Sequence, residues 1–375
     1  MKILYNIAGT YRSGGMERVL ANKSNWLVAN GYDVVIVTTD QCGRSSFFKL
    51  DDRIRCYDLD INYEKNNNSS IWKKITQFPY KQYIHKKRLS LLLQKENPDI
   101  VISMFCNDVN FITDISNNSR TILEIHFSKF KRLQYNRKGL WKLLDIYLSR
   151  KDERLVRKFD KFVVLTSEDK HYWSPFKEAI VIPNALSYRN TEVSSLKNKK
   201  AIAVGRLTYQ KGFDRLIEVW RIVNKECPDW ILEIIGEGED RVSLEKQIEG
   251  CGLGSVIHIS PPTLRVDKKY LESSLLIMTS RYEGFGLVLI EAQSYGLPTI
   301  AFNCKCGPSD IIQNEVNGYL IEDGDINGMA MKIIKLISNQ SELNAMGNKA
   351  KENSVKYDES QIMRRWAYLF DQVLL

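Results

Sequence analysis

The sequence predicts an α/β protein with two Rossmann-like domains that face each other across a cleft. Its 375 residues are more than a single hydrophobic core ordinarily accommodates, and they suit two domains of about 150–200 residues each. In both halves, short apolar segments alternate with amphipathic ones, which is the pattern of a parallel sheet covered by helices on both faces. Glycine-rich turns follow strands in both halves. Because open parallel sheets bind ligands at the carboxyl ends of their strands, we expect a site in the cleft.

The first half contains five predicted strands and three predicted helices. The strands are Ile3–Ala8, Asp33–Thr38, Ile100–Met104, Thr121–Glu124 and Lys161–Leu165. The helices are Met16–Asn30, Lys86–Glu96 and Gly139–Lys158. Residues 62–70 are polar and rich in asparagine, so we predict a loop there.

The second half repeats the alternation. Its predicted strands are Ala201–Val204, Ile231–Ile235, Val256–Ile259, Leu275–Thr279 and Thr299–Phe302. Its predicted helices are Gly212–Lys225, Asp240–Glu249, Lys268–Ser273, Leu287–Tyr295, Asp325–Ser338 and Ser341–Tyr357. A polar stretch after Val181–Ala185 separates the two series. We therefore predict a first domain over 1–185, a second over 186–357 and a last helix over 358–375.

The composition is that of a globular protein, with 43% hydrophobic and 26% charged residues. No apolar run reaches the roughly 20 residues that span a bilayer. The seven cysteines are odd in number and scattered, as in a reducing cytosol, and the close pair Cys304 and Cys306 lacks zinc-ligand spacing. We expect a cytoplasmic protein that holds neither a metal nor another resident cofactor.

The positive charge is concentrated in one segment. The chain has a net charge of +9, and residues 72–160 carry 19 Lys and Arg against 9 Asp and Glu. Such a segment can serve nucleic acid, anionic lipid or a phosphorylated acceptor, and charge alone does not choose among them.

The first candidate binding segment runs from Gly9 to Arg18, between the opening strand and a helix. Its adjacent Gly14 and Gly15 let backbone amides approach a phosphate closely, and a helix amino terminus favours an anion. The alternative is a tight turn without a ligand. The spacing differs from the dinucleotide fingerprint, which argues against NAD.

The second segment follows the first strand of the second half and adds two cations to the same arrangement. Gly205, Arg206, Lys211 and Gly212 occupy the turn. Fixed cations can neutralise a departing diphosphate without a metal. The alternative is a pair of solvated surface cations.

The third segment, Arg281–Ala292, is the most informative. Between Gly284 and Phe302, Glu291 is the only charged residue in a long apolar run. A carboxylate in such a helix needs hydrogen-bonding partners, and ribose hydroxyls are suitable ones. Glu283 lies in the preceding loop, where Gly284 and its neighbours can curl around phosphate oxygens. The alternative is a buried glutamate with internal partners.

Together these segments resemble the retaining glycosyltransferases of family 4, which have the GT-B fold. The resemblance covers nearly the whole chain, and it extends to Ile182–Asn184 and Gly236–Gly238. It implies that the last helix crosses back to the first domain. The donor-binding residues that it implies are Gly14, Gly15, Gly205, Arg206, Lys211, Glu283, Gly284, Phe285, Gly286, Leu287 and Glu291.

The resemblance also implies a role for each side chain. Arg206 and Lys211 would bind the donor pyrophosphate, whereas Glu291 would bind the ribose hydroxyls. Glu283 would bind hydroxyls of the donor sugar. Backbone amides of the third segment and of the glycine pair would complete the phosphate site, and the leaving phosphate itself would take the acceptor proton.

His126 follows a first-domain strand on the cleft side and resembles the histidine that family members place beside the transferred sugar. Its neighbours depart from the usual pattern, and a structural histidine is the alternative. The implied catalytic residues are therefore His126, Arg206, Lys211 and Glu283.

The basic segment 72–160 is interleaved with aromatic residues, mainly in Trp72–Arg88 and Lys129–Lys142. Such stretches can lie on an anionic membrane. We predict peripheral contact with the inner face of the cell membrane and a polyprenyl-diphosphate-linked or other glycan acceptor. A solvated basic face is the alternative. Phe302–Asp310 resembles a segment of bacterial enzymes that build capsular or lipid-linked oligosaccharides.

The resemblance implies transfer of a hexose-type sugar, from a UDP sugar by preference, in bacterial surface polysaccharide biosynthesis. A nucleotide-sugar epimerase of the same fold and a transferase with a soluble acceptor are alternatives. A phosphorylase would need a lysine-bound pyridoxal phosphate. Nucleic acid is not an expected partner, because no recognition motif accompanies the basic segment.

Overall fold

We describe the protein from a computed structural model that covers residues 1–66, 71–116, 118–133, 138–186 and 191–375, with the backbone alone at 66, 71–75 and 140. Two parallel sheets with flanking helices make up the molecule. The predicted α/β class is confirmed.

The first sheet has seven strands: β1 (Lys2–Ile7), β2 (Asp33–Thr38), β3 (Arg55–Asp58), β4 (Ile100–Ser103), β5 (Arg120–Glu124), β6 (Lys161–Val164) and β7 (Ile180–Val181). Their order is β3-β2-β1-β4-β5-β6-β7, and every pairing is parallel. The central strands are buried on both faces, which explains their continuous apolar runs. The order reverses between β1 and β4, so a crevice opens at the carboxyl ends of these two strands.

The second sheet has six strands: β8 (Lys200–Val204), β9 (Ile231–Ile235), β10 (Ile257–Ser260), β11 (Leu275–Met278), β12 (Thr299–Phe302) and β13 (Gly318–Ile321). Their order is β10-β9-β8-β11-β12-β13, again all parallel. The reversal lies between β8 and β11. The loops after these two strands carry the second and third candidate segments, so the fold brings both to one crevice.

Thirteen helices flank the sheets in the part of the chain that the structure describes. They are α1 (Gly15–Ala29), α2 (Ile71–Glu96), α3 (Ile112–Ile115), α4 (Leu140–Val156), α5 (Ser167–Trp173), α6 (Phe213–Glu226), α7 (Arg241–Gly250), α8 (Val266–Leu271), α9 (Leu287–Ser294), α10 (Pro308–Ile311), α11 (Ile326–Ile337), α12 (Gln340–Ser354) and α13 (Glu359–Leu374). Among the described residues, none of these helices combines the length and apolarity that a membrane crossing requires.

The last helix packs on the first sheet although it follows the second sheet in the chain. Asp358 caps α13 by accepting a hydrogen bond from the Ser360 amide. Ile362, Trp366 and Phe370 are buried in the same core as β1 and β4. The predicted return of this helix to the first half is confirmed.

The sequence predictions missed or misplaced elements that lack an apolar pattern. The edge strand β3 is largely exposed and polar, and β7 has only two residues. Helix α2 begins at Ile71 rather than Lys86 and accommodates Pro79, a residue that usually ends a helix. The described part of the predicted loop 62–70 contains a short turn at Tyr63–Asn66, and 67–70 lie outside the described residues.

Candidate active site

The crevice of the second sheet is lined by the loops that follow β8 and β11. The first loop ends at Gly212, whose φ of 65° lies in the left-handed region, where glycine is favoured. The second loop ends at Gly286, with φ of 94°, and α9 starts immediately after it. The amino terminus of α9 therefore opens into the crevice and favours a negative charge there.

Lys211 and Glu283 form an ion pair at the centre of this crevice. Lys211 Nζ lies 2.5 Å from Glu283 Oε1, with side-chain exposures of 17% and 8%. The Ser280 hydroxyl donates to the same carboxylate oxygen over 2.6 Å. The Lys211 stem packs against Gly205, where a Cβ would lie 3.1 Å from Cε. Both predicted residues are thus oriented side by side.

Glu291 meets a side chain from the other half of the chain. Its Oε1 accepts from Arg18 Nη1 at 2.9 Å, and its Oε2 accepts from the Tyr270 hydroxyl at 3.1 Å. Tyr270 stacks on Tyr295 with ring centroids 5.4 Å apart. The Glu291 carboxylate therefore lies at the junction of the two sheets, next to α1.

The glycine pair also lies at this junction. Gly14 caps α1 and Gly15 is its first residue; a Cβ on Gly15 would lie 3.1 Å from Leu287 Cδ1 at the start of α9. Two helix amino termini thus meet, which concentrates positive potential for an anion. Phe285 is buried, so only its backbone is available to a ligand.

Glu17 lies close to Arg206 and His126. Burial raises the pKa of Glu17, while electrostatic interactions with Arg12, Arg206 and His126 oppose the rise. Its carboxylate folds back over Gly14, where a Cβ would lie 2.2 Å from Oε2. Arg206 itself is exposed on the loop after β8.

His126 lies just beyond β5, against the third segment. A Cβ on Gly284 would lie only 2.2 Å from the His126 carbonyl oxygen, so glycine permits this close approach of the two halves. His126 Nε2 is 3.0 Å from Glu124 Oε1, and its side chain is 6% exposed. The structure therefore brings His126 to the same junction as the donor-site candidates.

Four residues of this site carry no role in the sequence-based prediction: Glu17, Arg18, Tyr270 and Ser280. Glu17 and Arg18 follow the glycine pair after Met16, in the first turn of α1. This position was the signal available in the sequence. Tyr270 had none, because its contact with Glu291 depends on how α8 and α9 pack. Within the described ranges, no three His, Cys, Asp or Glu side chains come together as a metal site would require.

The fold and the charged junction are those expected of the two-domain transferases of sugars. A family model described as "Glycosyl transferases group 1" matches residues 186–353, and one described as "Glycosyltransferase Family 4" matches 13–187. An uncharacterized glycosyltransferase of Haemophilus influenzae is 31% identical over 97% of this chain and 98% of its own length.

Two further comparisons agree. The amylovoran biosynthesis glycosyltransferase AmsD of Erwinia amylovora is 29% identical over 97% of this chain and 98% of its own. A mutant of S. aureus TarM in complex with fondaparinux, alpha-GlcNAc-glycerol and UDP has a TM-score of 0.79 at 20% identity, covering 98% of this chain and 99% of that one. The chain belongs to glycosyltransferase family 4 and has the GT-B fold, as predicted. It is a glycosyltransferase of the bacterial polysaccharide biosynthesis type.

Proposed function

We propose that the protein moves a hexose-type sugar, with retention of its anomeric configuration, from a nucleotide diphosphate sugar to a glycan or polyprenyl-diphosphate-linked acceptor. UDP is the favoured nucleotide, and assembly of a bacterial surface polysaccharide is the process. The observation that carries the proposal is the pairing of two cations with two carboxylates, Lys211 with Glu283 and Arg18 with Glu291, where the two sheets meet.

The comparisons support the donor and the product. TarM was solved with UDP and with an alpha-linked GlcNAc compound, and AmsD is named for biosynthesis of the polysaccharide amylovoran. Common UDP-hexoses are α-configured, so a retaining enzyme would pass that configuration to its product. TarM thus favours UDP and retention for this chain, and AmsD favours a polysaccharide product.

The side chains of this crevice suit departure of a diphosphate. As the bond between the anomeric carbon and the donor phosphate oxygen breaks, Arg206 and Lys211 would neutralise the charge that develops on that oxygen. The acceptor oxygen would bond to the anomeric carbon on the same face, and its proton would pass to the departing phosphate. Glu283 and His126 would hold hydroxyls of the transferred sugar.

A binding screen followed by product analysis tests the proposal. We expect UDP sugars to raise the melting temperature more than GDP or ADP sugars do, because a bound donor stabilises the fold by mass action. Proton NMR of the product then reports the anomeric coupling. A product of inverted configuration would refute retention, and conversion of the donor into a second UDP sugar without an acceptor would indicate an epimerase.

Two exposed helix surfaces support the proposed contact with the inner membrane. On α4, Leu143 and Tyr147 are 64% and 63% exposed next to the exposed Lys142. On α2, Tyr83 is 64% exposed beside the exposed Lys86. Aromatic and cationic residues in such arrangements bind anionic lipid surfaces.

Other parts of the basic segment have different surroundings. Burial lowers the pKa of Lys131 to about 7, and its Nζ lies 3.1 Å from the Phe127 ring centroid. Arg132 pairs with Asp152 over 3.1 Å. These two cations therefore face protein. The side chains of 72–74 and the residues 134–137 lie outside the described part of the chain.

Flotation with vesicles tests this surface. We expect phosphatidylglycerol vesicles to carry the protein, and Lys86→Glu combined with Lys142→Glu to abolish the association. Lys225→Glu combined with Lys246→Glu is the matched control, since both residues are exposed on helices of the second sheet. Equal binding by the two double variants would refute a role for α2 and α4.

A further inference from the structure

A buried row of charged side chains runs from the interior of the first sheet to the active site. Lys23 projects from α1, Glu124 ends β5, and His126 follows two residues later. Lys23 Nζ lies 2.6 Å from each Glu124 oxygen, and Glu124 Oε1 lies 3.0 Å from His126 Nε2. The Lys23 and Glu124 side chains are only 3% and 1% exposed.

The C-terminal helix closes the inner end of this row. Lys23 Nζ lies 3.7 Å from the Trp366 ring centroid and 5.4 Å from that of Tyr5. A cation over an aromatic face is stabilised electrostatically, most of all where water is excluded. Trp366 on α13 therefore helps to hold the Lys23 ammonium in place.

Fold stability alone is a weak reason for such a cluster. Removing two charges from water is costly, and well-packed apolar residues often replace a buried ion pair without loss of stability. Burial raises the pKa of Glu124, but Lys23 and His126 outweigh this effect and lower the pKa to about 2. Glu124 is therefore a carboxylate at neutral pH and presents a full negative charge to the imidazole.

The negative charge of Glu124 determines which nitrogen of the His126 ring carries the proton. In a neutral imidazole, a carboxylate favours the proton on the nearer ring nitrogen, Nε2, which leaves the lone pair on Nδ1 to accept a hydrogen bond from a sugar hydroxyl. In the free protein the contact between Nε2 and the carboxylate is close but bent, outside the geometry of a hydrogen bond. Such contacts often become linear only when substrate is bound.

We propose that Glu124 and Lys23 are positioning residues: Glu124 sets the tautomer and orientation of His126, and Lys23, held by Trp366, keeps Glu124 charged and in place. This inference rests on the proposed function of His126 beside the transferred sugar. Neither Glu124 nor Lys23 touches substrate, and both act through the histidine.

The experiment measures turnover and donor binding separately in the full chain. The probes are UDP for binding and, for turnover, whichever of UDP-glucose, UDP-galactose and UDP-N-acetylglucosamine the wild type consumes. We expect Glu124→Gln to lower kcat by about 10- to 100-fold, the range for losing a partner that orients a functional side chain. The dissociation constant for UDP should stay within about twofold of wild type, because Arg206, Lys211 and Glu291, the side chains proposed to bind the nucleotide, lie in the half of the chain that forms the other sheet.

Glu96→Gln provides a matched control. Glu96 is also buried and ionic, with Arg55 at 3.2 Å and Lys2 at 3.6 Å, but it lies at the opposite, amino-terminal edge of the same sheet. We expect this variant to lose stability and keep its kcat. If Glu124→Gln and Glu96→Gln have the same kcat, the positioning role is refuted.

The double variant Lys23→Met/Glu124→Gln separates function from folding. It leaves no unpaired charge in the core, so thermal stability should recover relative to Lys23→Met, whereas kcat should stay low. Recovery of kcat together with stability would overturn the proposal. A wild type that neither binds UDP nor consumes a UDP sugar would instead overturn the proposed function, and the binding measurement identifies that case first.

Discussion

The ion pair between Lys211 and Glu283 gives a sharp test of the donor site, because it separates stability from binding. Lys211→Met leaves Glu283, 8% exposed, with the Ser280 hydroxyl and without its cation. Breaking a buried pair from one side costs about 3–5 kcal/mol. Because the Lys211 side chain is 17% exposed, the pair is only partly buried, and we expect a smaller loss of about 2–3 kcal/mol in the free energy of unfolding. In Lys211→Met/Glu283→Gln most of this loss should be recovered.

Binding should follow a different pattern. Hydrogen bonds to charged groups contribute about 1.5–3 kcal/mol each, so loss of Lys211 should weaken UDP binding by about 10- to 150-fold. Glu283→Gln should leave UDP binding close to wild type and weaken only UDP sugars, because Glu283 is proposed to contact the sugar. The double variant should be stable yet bind UDP as poorly as Lys211→Met.

Urea unfolding and titration calorimetry on the four proteins measure both quantities. The reasoning fails if the double variant binds UDP as well as wild type does. It fails equally if stability in the double variant remains as low as in Lys211→Met, since the cost would then come from lost packing rather than from an unpaired charge.

Three other changes have defined outcomes. Arg18→Ala removes a cation that pairs with Glu291, so the carboxylate becomes available to the ribose hydroxyls. Uridine, which offers only its ribose and base, should then bind about fivefold more tightly, equivalent to about 1 kcal/mol. Titration calorimetry measures this affinity. Burial raises the pKa of Asp108 to about 7, above its unfolded value. Its contribution to the free energy of unfolding is therefore fully present below about pH 4 and is lost as the pH rises through 7, a decline of up to about 4 kcal/mol. Asp108→Asn should remove this decline when urea unfolding is measured across that pH range. Gly284→Ala introduces a Cβ 2.2 Å from the His126 carbonyl oxygen, so kcat in a turnover assay should fall about tenfold or more.

Sequence patterns predicted the central strands because each is a short run buried on both faces. They also singled out Glu291, since a charge inside an apolar helix requires partners. The particular partners could not be predicted. Arg18 lies 273 positions away, and Tyr270 reaches Glu291 only through the packing of α8 against α9.

Buried charges on amphipathic elements are harder to predict from the sequence than a charge inside an apolar helix. Lys23 lies in a helix that carries several polar residues, so its sequence gives no sign that the side chain is 3% exposed. Its burial results from α13, which arrives from the far end of the chain and covers this face of α1 with Trp366. Edge strand β3 was missed for a related reason: its exposed polar residues follow no apolar pattern.

The charged groups of the site are paired before any donor arrives, and this pairing matches the chemistry of a nucleotide sugar. Lys211 pairs with Glu283 and Arg18 pairs with Glu291, and both pairs lie at the crevice. A donor brings both anionic phosphates and neutral hydroxyls. It can therefore take the cations onto its diphosphate and offer hydroxyls to the carboxylates, so that each charged group has a hydrogen-bonding partner in both states. Preorganised charges of this kind need little rearrangement when the leaving diphosphate develops its charge, which is the condition for electrostatic catalysis.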